Sequence, residues 1–247
     1  MARVRSHGAH EHDREGRMEP VYVVVRTVLV AIQSVLFRFK AFGLEKVPPS
    51  GPAIIAVNHI SYADPVMIAY LVDRLMKRRP RFLGKASLWD KWYLRFIMQG
   101  CGQIPVERGS GDVTPTRAAE AALRAGKTVV IYPEATITTN ADLTPMAGKT
   151  GVARLTLATG TPVVPVAIWG AQWHLPKHRK GTFRRHRDIY FQIGDPMTFG
   201  EFAGRGDDRE ALREVTDRVM AEIDRLVREL QKVHPHGAAV PALKEAP

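Results

Sequence analysis

The chain has 247 residues and a formal net charge of +11, with 45% hydrophobic and 25% charged residues. Its length supports one substantial core, and its single cysteine, Cys101, excludes an internal disulfide framework and a cysteine-based zinc centre. The excess positive charge points to an anionic partner: nucleic acid, an anionic membrane surface or a phosphorylated substrate.

Residues 1–20 mix basic side chains with Glu11, Asp13, Glu15 and Glu19 and contain no apolar core before a cleavage-like site. They read as a mobile polar tail rather than a secretory signal. His7, His10 and His12 give only a weak metal-tract pattern. Residues 21–42 are predicted as a membrane-associating helical segment. Arg26 and Arg38 interrupt the apolar run, which falls short of the roughly 20 uninterrupted residues of a spanning helix. Arg26, Gln33 and Lys40 recur on one helical face, while Leu29, Ile32, Leu36 and Phe39 lie largely elsewhere. That is the pattern of an interfacial amphipathic helix. The valines between positions 21 and 30 weaken helix propensity, so a core helix or a strand stays open for this stretch.

Ala53-Ile54-Ile55-Ala56-Val57 is predicted as a buried strand. Asp64-Pro65 then opens a helical pattern through Met67, Ile68, Leu71 and Leu75. Between them, His59 and Asp64 share a turn at a strand's C-terminal end, where an α/β sheet presents groups to ligands. The pair suggests a general base, His59, oriented by Asp64, with a substrate hydroxyl as nucleophile. Asp64 before Pro65 also reads as a helix N-cap, with His59 satisfying turn backbone. The two readings coexist, because a fixed helix start also fixes the carboxylate.

Further helices are predicted at Trp89–Met98, Thr114–Arg124, residues 149–159 and residues 208–232. Further strands are predicted at residues 128–132, 163–169 and 188–193. The alternation predicts an α/β fold, a layered mixed β-sheet flanked by helices, preceded by the amphipathic segment.

Four more clusters carry chemistry. Arg108 closes the Gly/Pro-punctuated run Gly102-Gln103-Ile104-Pro105-Val106-Glu107-Arg108, and its planar fork suits phosphate; Lys85 and Lys91 precede it. Tyr132-Pro133-Glu134-Ala135-Thr136 places Glu134 at a second strand end, either against an acceptor hydroxyl or a phosphate-binding cation, or as a turn residue. Gly148-Lys149-Thr150-Gly151 lacks the glycine pattern of a nucleotide-binding loop, but Lys149 at a helix start suits an anion. Residues 177–187 hold Lys177, Arg179, Lys180, Arg184, Arg185 and Arg187 with no acid, close to Trp169, Trp173 and Phe183. Such a segment suits a membrane interface or nucleic acid; the amphipathic helix tips the balance to an anionic membrane surface, and no nucleic acid is expected.

Taken together, four motifs in order over roughly residues 40–195 resemble the glycerolipid acyltransferase family, specifically 1-acylglycerol-3-phosphate acyltransferases. They are Asn58-His59 through Asp64, Gly102 through Arg108, Tyr132 through Thr136, and Val163-Val164-Pro165-Val166. The resemblance implies a catalytic pair, His59 and Asp64, and acceptor binding by Arg108, Glu134, Thr136 and Lys149. It implies an acyltransferase domain over residues 43–232, followed by a flexible tail at 233–247. Acyl-CoA or acyl-carrier protein would donate, lysophosphatidic acid or a related lysolipid would accept, and no metal or redox cofactor is needed. The implied location is the cytoplasmic side of the cell membrane, as a peripheral or monotopic protein. The third motif departs from the family pattern: Ala135 stands for a glycine and Ile137 for an arginine, so one phosphate-binding cation is missing. Arg108, Lys149 and Arg154 are candidates to compensate.

Overall fold

A computed structural model describes residues 20–106, 114–177 and 187–242. The polar tail over 1–19, Arg108, and most of the basic segment (residues 178–186) lie outside the described residues.

Seven strands form one sheet: β1 (Arg38–Phe42), β2 (Ala53–Val57), β3 (Pro80–Lys85), β4 (Ile104–Val106), β5 (Thr128–Ile131), β6 (Val163–Trp169) and β7 (Asp188–Ile193). Their spatial order is β1-β7-β6-β2-β5-β3-β4, parallel throughout except for the antiparallel β6–β7 pair. The central strands β2, β5 and β6 are buried along their whole length. Covered on both faces, they carry apolar residues at every position but Thr128 and show no alternation.

The helices are α1 (Pro20–Leu36), α2 (Asp64–Tyr70), α3 (Trp92–Gly100), α4 (Thr114–Arg124), α5 (Gly151–Thr159) and α6 (Arg209–Val233). They pack as two groups: α1 against α2 and α3, and α5 against α4 and α6. After β2 the chain moves across the sheet towards β3; after β5 it moves the opposite way to β6. Right-handed crossovers in opposite directions put α2 and α5 on opposite faces, which opens a crevice at the C-terminal ends of β2 and β5. The β2 and β5 ends are the two places where the sequence offers His59 and Glu134.

The longest helix, α6, buries Leu212, Val215, Val219, Ile223, Leu226, Val227 and Leu230 on one face. Asp208 caps its start by accepting from the Glu210 and Ala211 N–H groups, and its exposed face carries helical pairs such as Arg213–Asp217 and Arg228–Asp224.

Two boundaries differ from the expectation. The N-terminal helix ends at Leu36, and residues 38–42 form edge strand β1 beside β7. Arg187 terminates the helix by donating to the Leu36 and Val35 carbonyls. Beyond it, Phe39 stacks on Tyr70 and Phe191 while Arg38 and Lys40 point outward, an alternation of period two that belongs to a strand. At the other end, residues 234–242 are docked, not loose. His234 is buried, Trp169 Nε1–H donates to the Gly237 carbonyl at 2.8 Å, and Val240 packs on the core. Residues 243–247 lie outside the described residues. Strands β1, β3 and β4 have no counterpart in the sequence expectation.

Candidate active site

Asp64 is fully buried at the first turn of α2. Its Oδ2 accepts three hydrogen bonds: from His59 Nδ1 at 2.8 Å, from the Ile60 N–H at 2.7 Å and from the Ser61 N–H at 2.8 Å. A carboxylate so placed holds the turn that carries the histidine and also the ring itself. Because Nδ1 faces a carboxylate, the proton sits there and Nε2 is left as the basic nitrogen.

The turn is anchored on both sides. Asn58 bridges to β6: its Nδ2 donates to the Ile168 carbonyl at 3.1 Å, and its Oδ1 accepts from the Ile168 N–H at 2.8 Å. Glu134, from the turn after β5, accepts from the His59 N–H through Oε1 and from the Met146 N–H through Oε2, both at 2.9 Å. Glu134 is buried, and burial pushes its carboxyl up to about 7 against the opposing effect of those two N–H groups. The same loop returns to the dyad through the Thr138 N–H, which donates to the His59 carbonyl at 2.8 Å. The Tyr132 ring stacks on the His59 imidazole, with centroids 4.3 Å apart.

From the dyad an apolar cavity of about 560 Å³ extends between α1, α2 and the β3–α3 region. One face of α1 lines it with Tyr22, Val25, Arg26, Leu29, Val30 and Gln33. Gln33 Nε2 donates to the Val66 carbonyl at 2.7 Å near the dyad. At the far end, the Tyr22 hydroxyl and Arg26 Nε donate to Asp73 at 2.5 and 2.6 Å. The two ends lie about 16 Å apart along α1 at 1.5 Å rise per residue. Gly100 lets α1 close over this space, because a Cβ there would meet Val21 at 2.6 Å.

Of the other sequence-derived candidates, Thr136 lines the cavity with His59, as does Ile137, the residue in the arginine position. Lys149 is exposed and off the wall; its N–H donates to the Pro133 carbonyl at 2.8 Å and so braces the Glu134 turn. Arg154 is exposed on α5. Arg108 lies outside the described residues. Sequence reasoning missed Tyr132 as a partner of His59, Asn58 as the β2–β6 bridge, and the cavity face of α1. Only the last had a signal, the three-to-four-residue spacing of Tyr22, Val25, Leu29 and Gln33.

A buried His–Asp pair at the head of an apolar cavity fits acyl chemistry. Residues 38–169, over half of the chain, match the acyltransferase family. The chain belongs to the acyltransferase family. Its membership in this family of O-acyltransferases sets the reaction class. Over 131 residues this acyltransferase is 29% identical to a 1-acyl-sn-glycerol-3-phosphate acyltransferase of Borreliella burgdorferi. That match covers 51% of the chain and 49% of the relative, so it spans about half of that protein's length. The same-named protein of Bacillus subtilis is 22% identical over 213 residues, covering 86% of the acyltransferase and 100% of the relative. Among solved structures, the acyltransferase fold resembles the 1-acyl-sn-glycerophosphate acyltransferase PlsC of Thermotoga maritima. The TM-score is 0.60 at 21% identity, over 82% of this chain and 79% of that one.

Proposed function

We propose that this acyltransferase moves a fatty acyl group from acyl-CoA or acyl-carrier protein to the sn-2 hydroxyl of 1-acylglycerol-3-phosphate, giving phosphatidic acid. The observation that carries the reading is the His59–Asp64 pair opening onto an apolar cavity with room for an acyl chain. The names of the Borreliella and Bacillus relatives support the acceptor.

In this mechanism His59 Nε2 takes the proton of the acceptor hydroxyl as its oxygen attacks the thioester carbonyl carbon. Asp64 holds the Nδ1–H and stabilises the imidazolium that forms. The tetrahedral intermediate collapses with cleavage of the carbon–sulfur bond. The thiolate leaves and takes the proton back from His59, so the histidine ends the cycle neutral. Arg108 and Thr136 serve acceptor binding, and Glu134 serves it by fixing the backbone of His59 and of Met146, its own turn braced by the Lys149 N–H.

The enzyme works at the cytoplasmic face of the membrane, held there by α1 and α3. Val24, Val28, Ile32 and Val35 are exposed on the face of α1 opposite the cavity, and Trp92 and Phe96 on α3 are 81% and 62% exposed. Such a patch on neighbouring helices suits a lipid surface. Among the described residues no helix is long and apolar enough to cross a membrane. Ile137 on the cavity wall supports a second reading of the acceptor, glycerol-3-phosphate or another lysophospholipid. Profiling acceptors with both thioester donors separates the two: lysophosphatidate as the best acceptor upholds the first reading, and a tenfold preference for another lipid alcohol replaces it.

A further inference from the structure

We propose that Lys177 binds the phosphomonoester of the acceptor lipid at the mouth of the cavity, an inference that rests on the reading above. Among the described residues three cations line the cavity: Arg26, Lys85 and Lys177. Arg26 is ion-paired with Asp73 at 2.6 Å in the far end. Lys85 is exposed at the end of β3, on the wall across from α1. Lys177 is half-buried and, among the described residues, has no ion pair.

The loop that carries Lys177 is tied to the turn that carries the dyad. Ser61 Oγ donates to the His174 carbonyl, and the Tyr62 N–H donates to the Leu175 carbonyl at 3.2 Å. Phe37 packs edge-on against the His174 ring, with centroids 4.9 Å apart. Leu175 is held at φ +48°, a left-handed conformation that an L side chain resists. The surroundings thus impose a strained turn two residues before Lys177 and fix where the lysine leaves it.

The chemistry of the acceptor selects between two sources of phosphate. In the acceptor, the phosphate is only a few bonds from the hydroxyl that must reach His59 Nε2, so its counter-charge has to stand beside the dyad. In an acyl-CoA or acyl-carrier-protein donor, the phosphates are separated from the thioester by the whole pantetheine arm. A lysine on the loop bonded to Ser61 and Tyr62 meets the first requirement. Ile137 contributes no charge from the opposite turn.

The test uses the full chain, with Lys177→Ala and Lys177→Arg, and reads KM for lysophosphatidate and KM for the donor separately. One lost charge-assisted contact predicts a rise in acceptor KM of about 10- to 100-fold in Lys177→Ala, with an unchanged donor KM and recovery in Lys177→Arg. A parallel equilibrium titration with soluble short-chain lysophosphatidate, without donor, predicts the same loss in Kd. An unchanged acceptor KM and Kd overturns the proposal, and so does a rise confined to donor KM. If wild type binds lysophosphatidate with dependence on Lys177 but does not acylate it, the acceptor assigned above falls while the phosphate site stands. Matching thermal melts confirm that the variants are folded.

Discussion

Tyr132 lies almost flat on His59, with ring planes inclined by 25° and centroids 4.3 Å apart. The phenol thereby closes the face of the imidazole that Asp64, at its Nδ1 edge, cannot hold. The Tyr132 hydroxyl is buried, and burial drives it well above the usual phenol range, so it stays protonated at any working pH. Its contribution is therefore the ring. Tyr132→Phe keeps the stack and is expected to retain activity within about threefold. Tyr132→Ala frees the imidazole and is expected to lower kcat by about 10- to 100-fold. Steady-state kinetics on both variants check this; equal activity in the two would assign the stack no role.

Asp64 sets the tautomer of His59 and cradles two N–H groups with one oxygen. Asp64→Asn retains the shape but removes the charge that supports an imidazolium. Its expected cost is on the order of a thousandfold in kcat with little change in acceptor KM. A loss confined to KM would contradict the general-base assignment.

Ala135 is held at φ +57° in the turn between Tyr132 and Thr136. A side chain there costs roughly 1 kcal/mol, which glycine does not incur, partly offset by glycine's larger unfolded-state entropy. Ala135→Gly is expected to leave stability unchanged or raise it by up to about 1 kcal/mol. Urea denaturation measures it, and a clear destabilisation would show that the turn tolerates alanine without strain.

Glu134 has a signed pH effect. Its folded value near 7 lies above its ordinary 4.5, so the folded state binds the proton more tightly than the unfolded chain. Its contribution to stability is fully present below about 4.5 and is lost as pH rises to about 7, an effect on the order of 3 kcal/mol. Glu134→Gln removes this slope and adds a pH-independent cost for one lost acceptor. The stability of wild type minus that of Glu134→Gln is therefore expected to fall by about 3 kcal/mol from pH 4.5 to 7.5. Parallel curves would place the Glu134 titration elsewhere.

The sheet was legible where burial is complete. The β2, β5 and β6 segments are continuous apolar runs of strand length, and β7 follows a sharp change in composition. Strand β1 was hidden because Arg38-Phe39-Lys40-Ala41-Phe42 is short, and Lys40 fits the seven-residue series of Arg26 and Gln33 in the helix before it. Strand β3 opens on Pro80 and contains Gly84, both of which argue against a strand when read alone. The residues of β4 are too few to carry a pattern. At the site, His59 and Asp64 were legible because six consecutive residues of one turn contain both. The His59–Tyr132 stack and the Asn58–Ile168 bridge were not, since they depend on which strands become neighbours. Glu134 was visible as a carboxylate at a strand end, but its two backbone N–H partners emerge only from the folded loop.

The proposed mechanism makes His59 the base of an acyl transfer to lysophosphatidate. The most direct measurement is transfer of label from acyl-CoA and from acyl-carrier protein into lysophosphatidate, with wild type and His59→Ala assayed in parallel on folded, lipid-supplied protein. Phosphatidic acid is expected from wild type with at least one donor, and none above background from His59→Ala. Comparable product from both proteins would remove His59 from the chemistry, and no product from wild type with either donor would reject lysophosphatidate as the acceptor.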